Sequence, residues 1–225
     1  TIQGAEGGGH TGGVPSTILL PQVLDAVSVP VIAAGGYSTG RGLASALAAG
    51  AEGIAMGTRF MMTSDSPTPK RTLERYLSTK DAQQIRVTLA VDGMRHRMID
   101  NEFIKQLESA GPIGRLWIAL RSARKWKAHT GMSTGHMIKT FFSAIKDDPS
   151  AMSQVVMAAN QPVLLQRSMV EGFPAEGILP SGQVAAAIDN LPSCAELIES
   201  IVHEAEQCLE RLQARCVPPT DIESE

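Results

Sequence analysis

Between residues 18 and 60 the apolar positions alternate between two kinds of pattern. Leu19, Leu20, Val23, Leu24 and Val27 recur at three- and four-residue intervals, the spacing of one helix face, and this predicts a helix over 18–26 with Pro21 near its start. VPVIAAGG at 29–36 is instead a short unbroken apolar run closing on two glycines, as in a strand covered on both faces of a parallel sheet. Residues 39–49, rich in alanine and leucine, predict a second helix capped by Ser38 or Thr39 and stopped by Gly50. EGIAMGTRF at 52–60 predicts a second buried strand, again closing on a glycine. Loop, helix, strand, loop, helix, strand is the order of parallel strands joined by right-handed crossovers.

From about Ser64 the pattern changes. The polar, proline-containing TSDSPTPKR leads into a long methionine-rich stretch that reads as mainly helical as far as Pro180. Met132, Met137, Met152, Met157 and Met169 either fill a core there or line an adaptable apolar pocket. Ser193 with Glu196 is a capping box, and Leu197, Ile198, Ile201, Val202, Ala205 and Leu209 continue it as an apolar stripe, so this helix is expected to dock on the main domain. The acidic tail from Pro218 to Glu225 is expected to be disordered. The resulting division is 1–66, 67–180 as a mainly helical substrate-covering region, 181–215 as a closing segment with its docking helix, and 216–225 as tail.

The fold class expected is α/β. Consecutive parallel strands ending in glycine loops are the repeating unit of a (β/α)8 TIM barrel, whose active site forms at the carboxyl ends of the strands. Here only the last strands are found, so the barrel is partial, with a mainly helical second domain. Gly35-Gly36 and Gly57-Thr58 stand where barrel loops hold phosphate, offering backbone N–H groups and a hydroxyl. The alternative is a doubly wound sheet whose glycines only make turns. G-G-x-x-x-G-x-G at 35–42 departs from the dinucleotide fingerprint.

Composition narrows the function. The chain has 225 residues, 43% hydrophobic and 19% charged, which is the make-up of a soluble globular protein. A net charge of −3 without a basic stripe excludes a nucleic-acid footprint. The cluster Arg121, Arg124, Lys125 and Lys127 reads as a solvated helix face. Cys194, Cys208 and Cys216 are too far apart for a metal-ligating pair and odd in number for a disulfide framework. Reduced thiols in a cytoplasm are expected, with no bound metal. No apolar run approaches the roughly 20 residues that span a bilayer. The sequence opens on Thr1 with the glycine-rich stretch following at once, and the expectation is that its beginning is missing.

Residues 6–13 read EGGGHTGG. Glycines at this density let another molecule approach the backbone closely. His10 is the one side chain there that titrates near neutrality, which marks it for proton transfer; an incidental histidine in a flexible turn is the bland alternative.

QGAEGGGHTGG at 3–13, PVIAAGGYSTGRG at 30–42 and GIAMGTRF at 53–60 together closely resemble the nitronate monooxygenase family, the 2-nitropropane dioxygenases. SGQVAAAIDNLPSCAELIESIVHEA at 181–205 is similar to that family's closing segment. The resemblance implies a barrel enzyme with FMN as cofactor. Gln3 would meet the isoalloxazine or ribityl chain, and Gly8 would let the flavin approach. Gly36, Met56, Gly57 and Thr58 would hold the phosphate. Ala55 replaces a common glutamine, removing one contact of that region. His10 matches the catalytic base, with a nitronate or nitroalkane and dioxygen as reactants. The flavin-dependent enoyl reductases of fatty acid synthesis share two of these motifs and supply the alternative, an enoyl-thioester reductase using NAD(P)H. A phosphate-ligand binding module or an inactive fragment is the non-enzymatic alternative, and association into a homo-oligomer is left open.

Overall fold

The computed structural model describes residues 1–111, 114 and 161–216. Its first layer is a parallel sheet in the order β1-β3-β4, from β1 (Ile2–Gln3), β3 (Ile32–Ala34) and β4 (Gly53–Ala55); β2 (Gly9–His10) belongs to a second sheet. The connections are α1 (Ser16–Ala26) and α2 (Gly40–Ala48), as their spacing predicts. Leu20 of α1 and Ala46 of α2 bury against Val31, Ala33 and Ala51, which makes one core cluster. Thr39 caps α2 by accepting a hydrogen bond from the Gly42 amide at 3.3 Å. The Glu6 carboxylate does the same for α1, accepting from the Ser16 amide and hydroxyl.

Both strands are shorter than their apolar runs. The expected strand over 52–60 ends at Ala55, and Thr58–Met61 turns into a short helix, α3. Its cause is tertiary: the Arg59 guanidinium is buried and donates to Asn190, which an extended chain would carry past.

Within the described residues, 67–180 is not helix alone. Helices α4 (Lys70–Leu77) and α5 (Glu102–Ser109) are present, but between them lie β5 (Ile85–Thr88) and β6 (His96–Ile99). These pair antiparallel, and β6 also pairs with β2, giving the sheet order β2-β6-β5. Ile85, Val87 and Thr88 are β-branched, and Asp92-Gly93 supplies the turn, with Gly93 at φ +83°. All four residues of β6 are buried. Two further core clusters form around the sheet, one on Met98, Ile104 and Leu107 and one on Met62, Tyr76, Ile99 and Leu179. Met169 is partly buried against the latter, the core-filling role. Met132, Met137, Met152, Met157 and the cluster at 121–127 lie outside the described residues, as does the tail from 217.

The capping box at Ser193 and Glu196 is present, and α6 (Cys194–Cys216) follows it. The buried stripe of α6 is narrower than the sequence predicts. Leu197, Ile201 and Ala205 are buried, whereas Ile198, Val202 and Leu209 are 49, 44 and 37% exposed. Gly40 explains the narrow contact: it lets α2 press so close that only one row of α6 faces it. A Cβ on Gly40 would lie 2.4 Å from the Ile201 carbonyl oxygen and 2.5 Å from the Ala205 nitrogen. The Gly40 amide also donates to Glu204 at 2.7 Å. The three cysteines are free, and among the described residues no helix is long and apolar enough to cross a membrane.

Because the obstructing atoms are backbone, Gly40→Ala must part the two helices. The expected loss is about 1–3 kcal/mol, despite alanine's better helix propensity. Chemical denaturation measures it, and an unchanged midpoint would contradict this packing.

Candidate functional site

The register of the parallel sheet places Gln3, Ala34 and Ala55 side by side at its carboxyl edge. There the chain leaves the strands through Gly4–Gly8, Gly35-Gly36 and Met56-Gly57. These turns wall a cavity of about 520 Å³, within the ~300–1,000 Å³ usual for small-molecule sites. Gln3, Gly8, Gly36, Ala55, Met56, Gly57 and Thr58, singled out from the sequence, all line it. Tyr37, Pro180, Gly182 and Val184 line it too, although none of them was singled out as a site residue. Burial, with Glu6 nearby, pushes the Tyr37 phenol above its ordinary pKa, so it stays a neutral hydroxyl on that wall.

The glycine loop is held to the closing segment backbone to backbone. A Cβ on Gly8 would lie 2.5 Å from the Gly182 nitrogen and the Ser181 carbonyl carbon. The Gln183 amide donates to the Glu6 carbonyl at 3.0 Å, and the Gly182 amide donates to the Thr58 hydroxyl at 2.9 Å. The Arg97 guanidinium reaches the Ala5 carbonyl at 2.8 Å. Gln3, besides lining the cavity, donates from Nε2 to the His10 carbonyl at 2.9 Å and so fixes the residue it precedes in the motif.

His10 itself sits beside the cavity, one residue beyond Gly9 in its lining. It pairs across the antiparallel ladder with His96, and the two rings stand 4.6 Å apart and tilted by 34°. His10 Nε2 lies 2.5 Å from Asp92 Oδ2. The Asp92 side chain is only 1% exposed and its other oxygen accepts the Met94 amide at 2.9 Å, while the His10 side chain is 45% exposed. A carboxylate only accepts hydrogen bonds. A hydrogen bond to that carboxylate is therefore donated by His10 Nε2, which in the neutral ring leaves Nδ1 as the acceptor.

His96 is 1% exposed. Burial first, then the neighbouring His10, push its pKa below the ordinary value, against a smaller opposite pull from Asp92. Sequence reading missed Asp92 and His96; the Asp-Gly turn between β-branched residues was the available signal for the first. No metal ligands were expected either, yet His10, Asp92 and His96 each bring one ligand atom within 4.8 Å of the others.

A family model described as nitronate monooxygenase matches residues 1–204. Two relatives are named (3aS,4S,5R,7aS)-5-hydroxy-7a-methyl-1-oxo-octahydro-1H-indene-4-carboxyl-CoA dehydrogenase. That from Rhodococcus jostii is 46% identical, covering 95% of this chain and 60% of its own length. That from Mycobacterium tuberculosis is 49% identical, covering 91% and 58%. A protein of Staphylococcus aureus named probable nitronate monooxygenase is 38% identical over 47% of this chain and 32% of its own. Among solved structures, FabK from Thermotoga maritima superposes with a TM-score of 0.67 at 28% identity, covering 95% of this chain and 56% of that one. Nitroalkane oxidase from Streptomyces ansochromogenes gives 0.63 at 25% identity, covering 93% and 52%. The chain thus spans somewhat over half the length of the proteins it resembles along most of its own.

Since the folded state holds His96 below its unfolded pKa of about 6.5, the unfolded chain takes up its proton first as pH falls. The His96 contribution to stability is whole above about pH 6.5 and is lost progressively below it. Denaturation across pH 5 to 8 measures this, and His96→Gln is expected to flatten the slope. An identical slope in the variant would contradict it.

Proposed function

The chain belongs to the nitronate monooxygenase family, and on that premise we propose that it forms the closing part of an FMN-dependent oxidoreductase that dehydrogenates a carboxyl-CoA thioester, with His10 as the base. In this reading β1, β3 and β4 are the last strands of a (β/α)8 barrel and their carboxyl edge is its active-site end. The observation that carries it is the His10–Asp92 pair standing beside a flavin-sized cavity.

The residues present fit FMN. A Cβ built on Gly57 meets nothing within 4 Å, so the backbone there borders open cavity. Gly36, Met56, Gly57 and Thr58 would hold the phosphate, while Met61, Pro180 and Val184 offer an apolar wall for a ring system. When bound, FMN supplies a two-electron acceptor. The chain's own part is the proton. A C–H beside a thioester carbonyl is acidified by it; His10 Nδ1 takes that proton, and the buried Asp92 carboxylate orients the ring and stabilises the imidazolium that results.

The choice of thioester is supported by the likeness to the two carboxyl-CoA dehydrogenases along nearly the whole chain. The nitronate reading, first from the motifs, takes second place. It is favoured by the likeness to the Staphylococcus aureus protein and to nitroalkane oxidase, and it asks the same of His10, since a nitro group also acidifies its neighbouring C–H. Flavin-loaded protein assayed with an alicyclic carboxyl-CoA and an artificial electron acceptor, with propionate 3-nitronate and dioxygen, and with crotonyl thioester and NADH separates dehydrogenase, nitronate oxidase and enoyl reductase. Turnover confined to either of the latter two would overturn the thioester dehydrogenase.

Gly57 stands at φ −83°, a conformation open to any residue, and its Cβ would touch no protein atom. Gly57→Val is therefore expected to leave the apoprotein's melting temperature almost unchanged while abolishing FMN retention, read from the flavin released on denaturation. Stoichiometric FMN in this variant would place the phosphate elsewhere.

His10→Asn is expected to lower turnover by about 10²- to 10⁴-fold with flavin retained. Asp92→Asn keeps the shape but offers Nε2 the wrong partner, and a loss of at least about tenfold is expected. Wild-type turnover in His10→Asn between pH 6 and 9 would remove His10 from the chemistry.

A further inference from the structure

We infer that His10, Asp92 and His96 form a binding site for one divalent transition-metal ion of the zinc class, seated across the β2–β6 pair beside the cavity. Three separate elements converge to make it: β2 brings His10, the turn before β6 brings Asp92, and β6 brings His96. The direct pairing of His10 with His96 sets both rings on one face of the ladder.

Two of the three donors are already fixed. Asp92 is buried and anchored through its second oxygen by the Met94 amide. His96 is buried, and its Nδ1 has no hydrogen-bond partner among the described residues. The third, His10, keeps nearly half its side chain exposed. An ion can reach it from the exposed side.

Metal–ligand bonds of about 2.0–2.2 Å in a tetrahedron hold ligand atoms roughly 3.4 Å apart. The three ligand atoms here lie within 4.8 Å of one another, so side-chain shifts of roughly one to two ångströms bring them to that spacing. Two imidazoles and one carboxylate select zinc and its first-row neighbours over magnesium and calcium, which prefer all-oxygen shells. Water completes the shell from the exposed side.

Coordination occupies the one basic nitrogen lone pair of the neutral His10 ring or replaces its bond to Asp92, so a bound ion and a base at His10 exclude each other. That consequence rests on the proposed function; the binding does not. The ion is an inhibitor, and the site gives the enzyme a sensitivity to free zinc.

The test begins from protein with Cys194, Cys208 and Cys216 changed to Ser, which removes competing thiols. Zinc is titrated against a chromophoric chelator. One site per chain in the micromolar range is expected, weakened at least about tenfold in His10→Gln and in Asp92→Asn. His203→Ala, which removes the histidine paired with Gln207 on α6, is expected to change nothing. His10→Gln alters an exposed side chain, so circular dichroism is expected to match the parent. No saturable binding below millimolar zinc, or binding indifferent to His10→Gln, overturns the site. Binding that leaves turnover untouched upholds the site and overturns His10 as base.

Discussion

The approach of residue 8 to residues 181–182 is the constraint on which the site depends. Parallel and antiparallel sheets meet there, and the loop from β1 to β2 has only the residues between Gln3 and Gly9 in which to pass from one to the other. With a Cβ on residue 8 the backbones would collide at 2.5 Å. The loop would lift away from the closing segment, taking β2 and with it His10 from the ladder that sets it against His96 and Asp92. The cavity would lose a wall in the same movement, because Gly8 and Gly182 both line it. One missing side chain thus serves the cavity and the placing of His10 together.

The polar residues of the motif keep this thin loop in place. Glu6 closes the first turn of α1 through Ser16, Gln3 ties the His10 carbonyl, and Arg97 reaches across from β6 to Ala5. Each spends its side chain on backbone or cap groups, so the loop is fixed by partners from three elements while glycine supplies the room. This is the arrangement expected where a general base must be held within a fraction of an ångström of its working position.

Much of the parallel half was legible in the sequence because its signals are local. Apolar runs, helix spacing, the Thr39 cap and the Ser193–Glu196 box all lie within a few residues of what they determine, and the cavity-lining residues fall in turns directly after strands. The antiparallel half was not legible. Val87 and Thr88 in isolation resemble any short apolar segment, and the surrounding methionines suggested helix. Asp92 meets His10 across 82 residues, a contact that only the β2–β6 pairing creates. The shortened strand at 53–55 and the narrow stripe of α6 have the same origin: Arg59 seeking Asn190 and Gly40 admitting α6 are tertiary choices that override a local pattern.

The most direct test of this account is a crystal structure of the FMN-loaded protein. The account predicts flavin in the cavity between the glycine loop and Gly182, its phosphate on Gly36, Gly57 and Thr58, and His10 still bonded to Asp92 with its free nitrogen facing the substrate side. A flavin bound elsewhere, or His10 turned away from Asp92 with flavin in place, would contradict it.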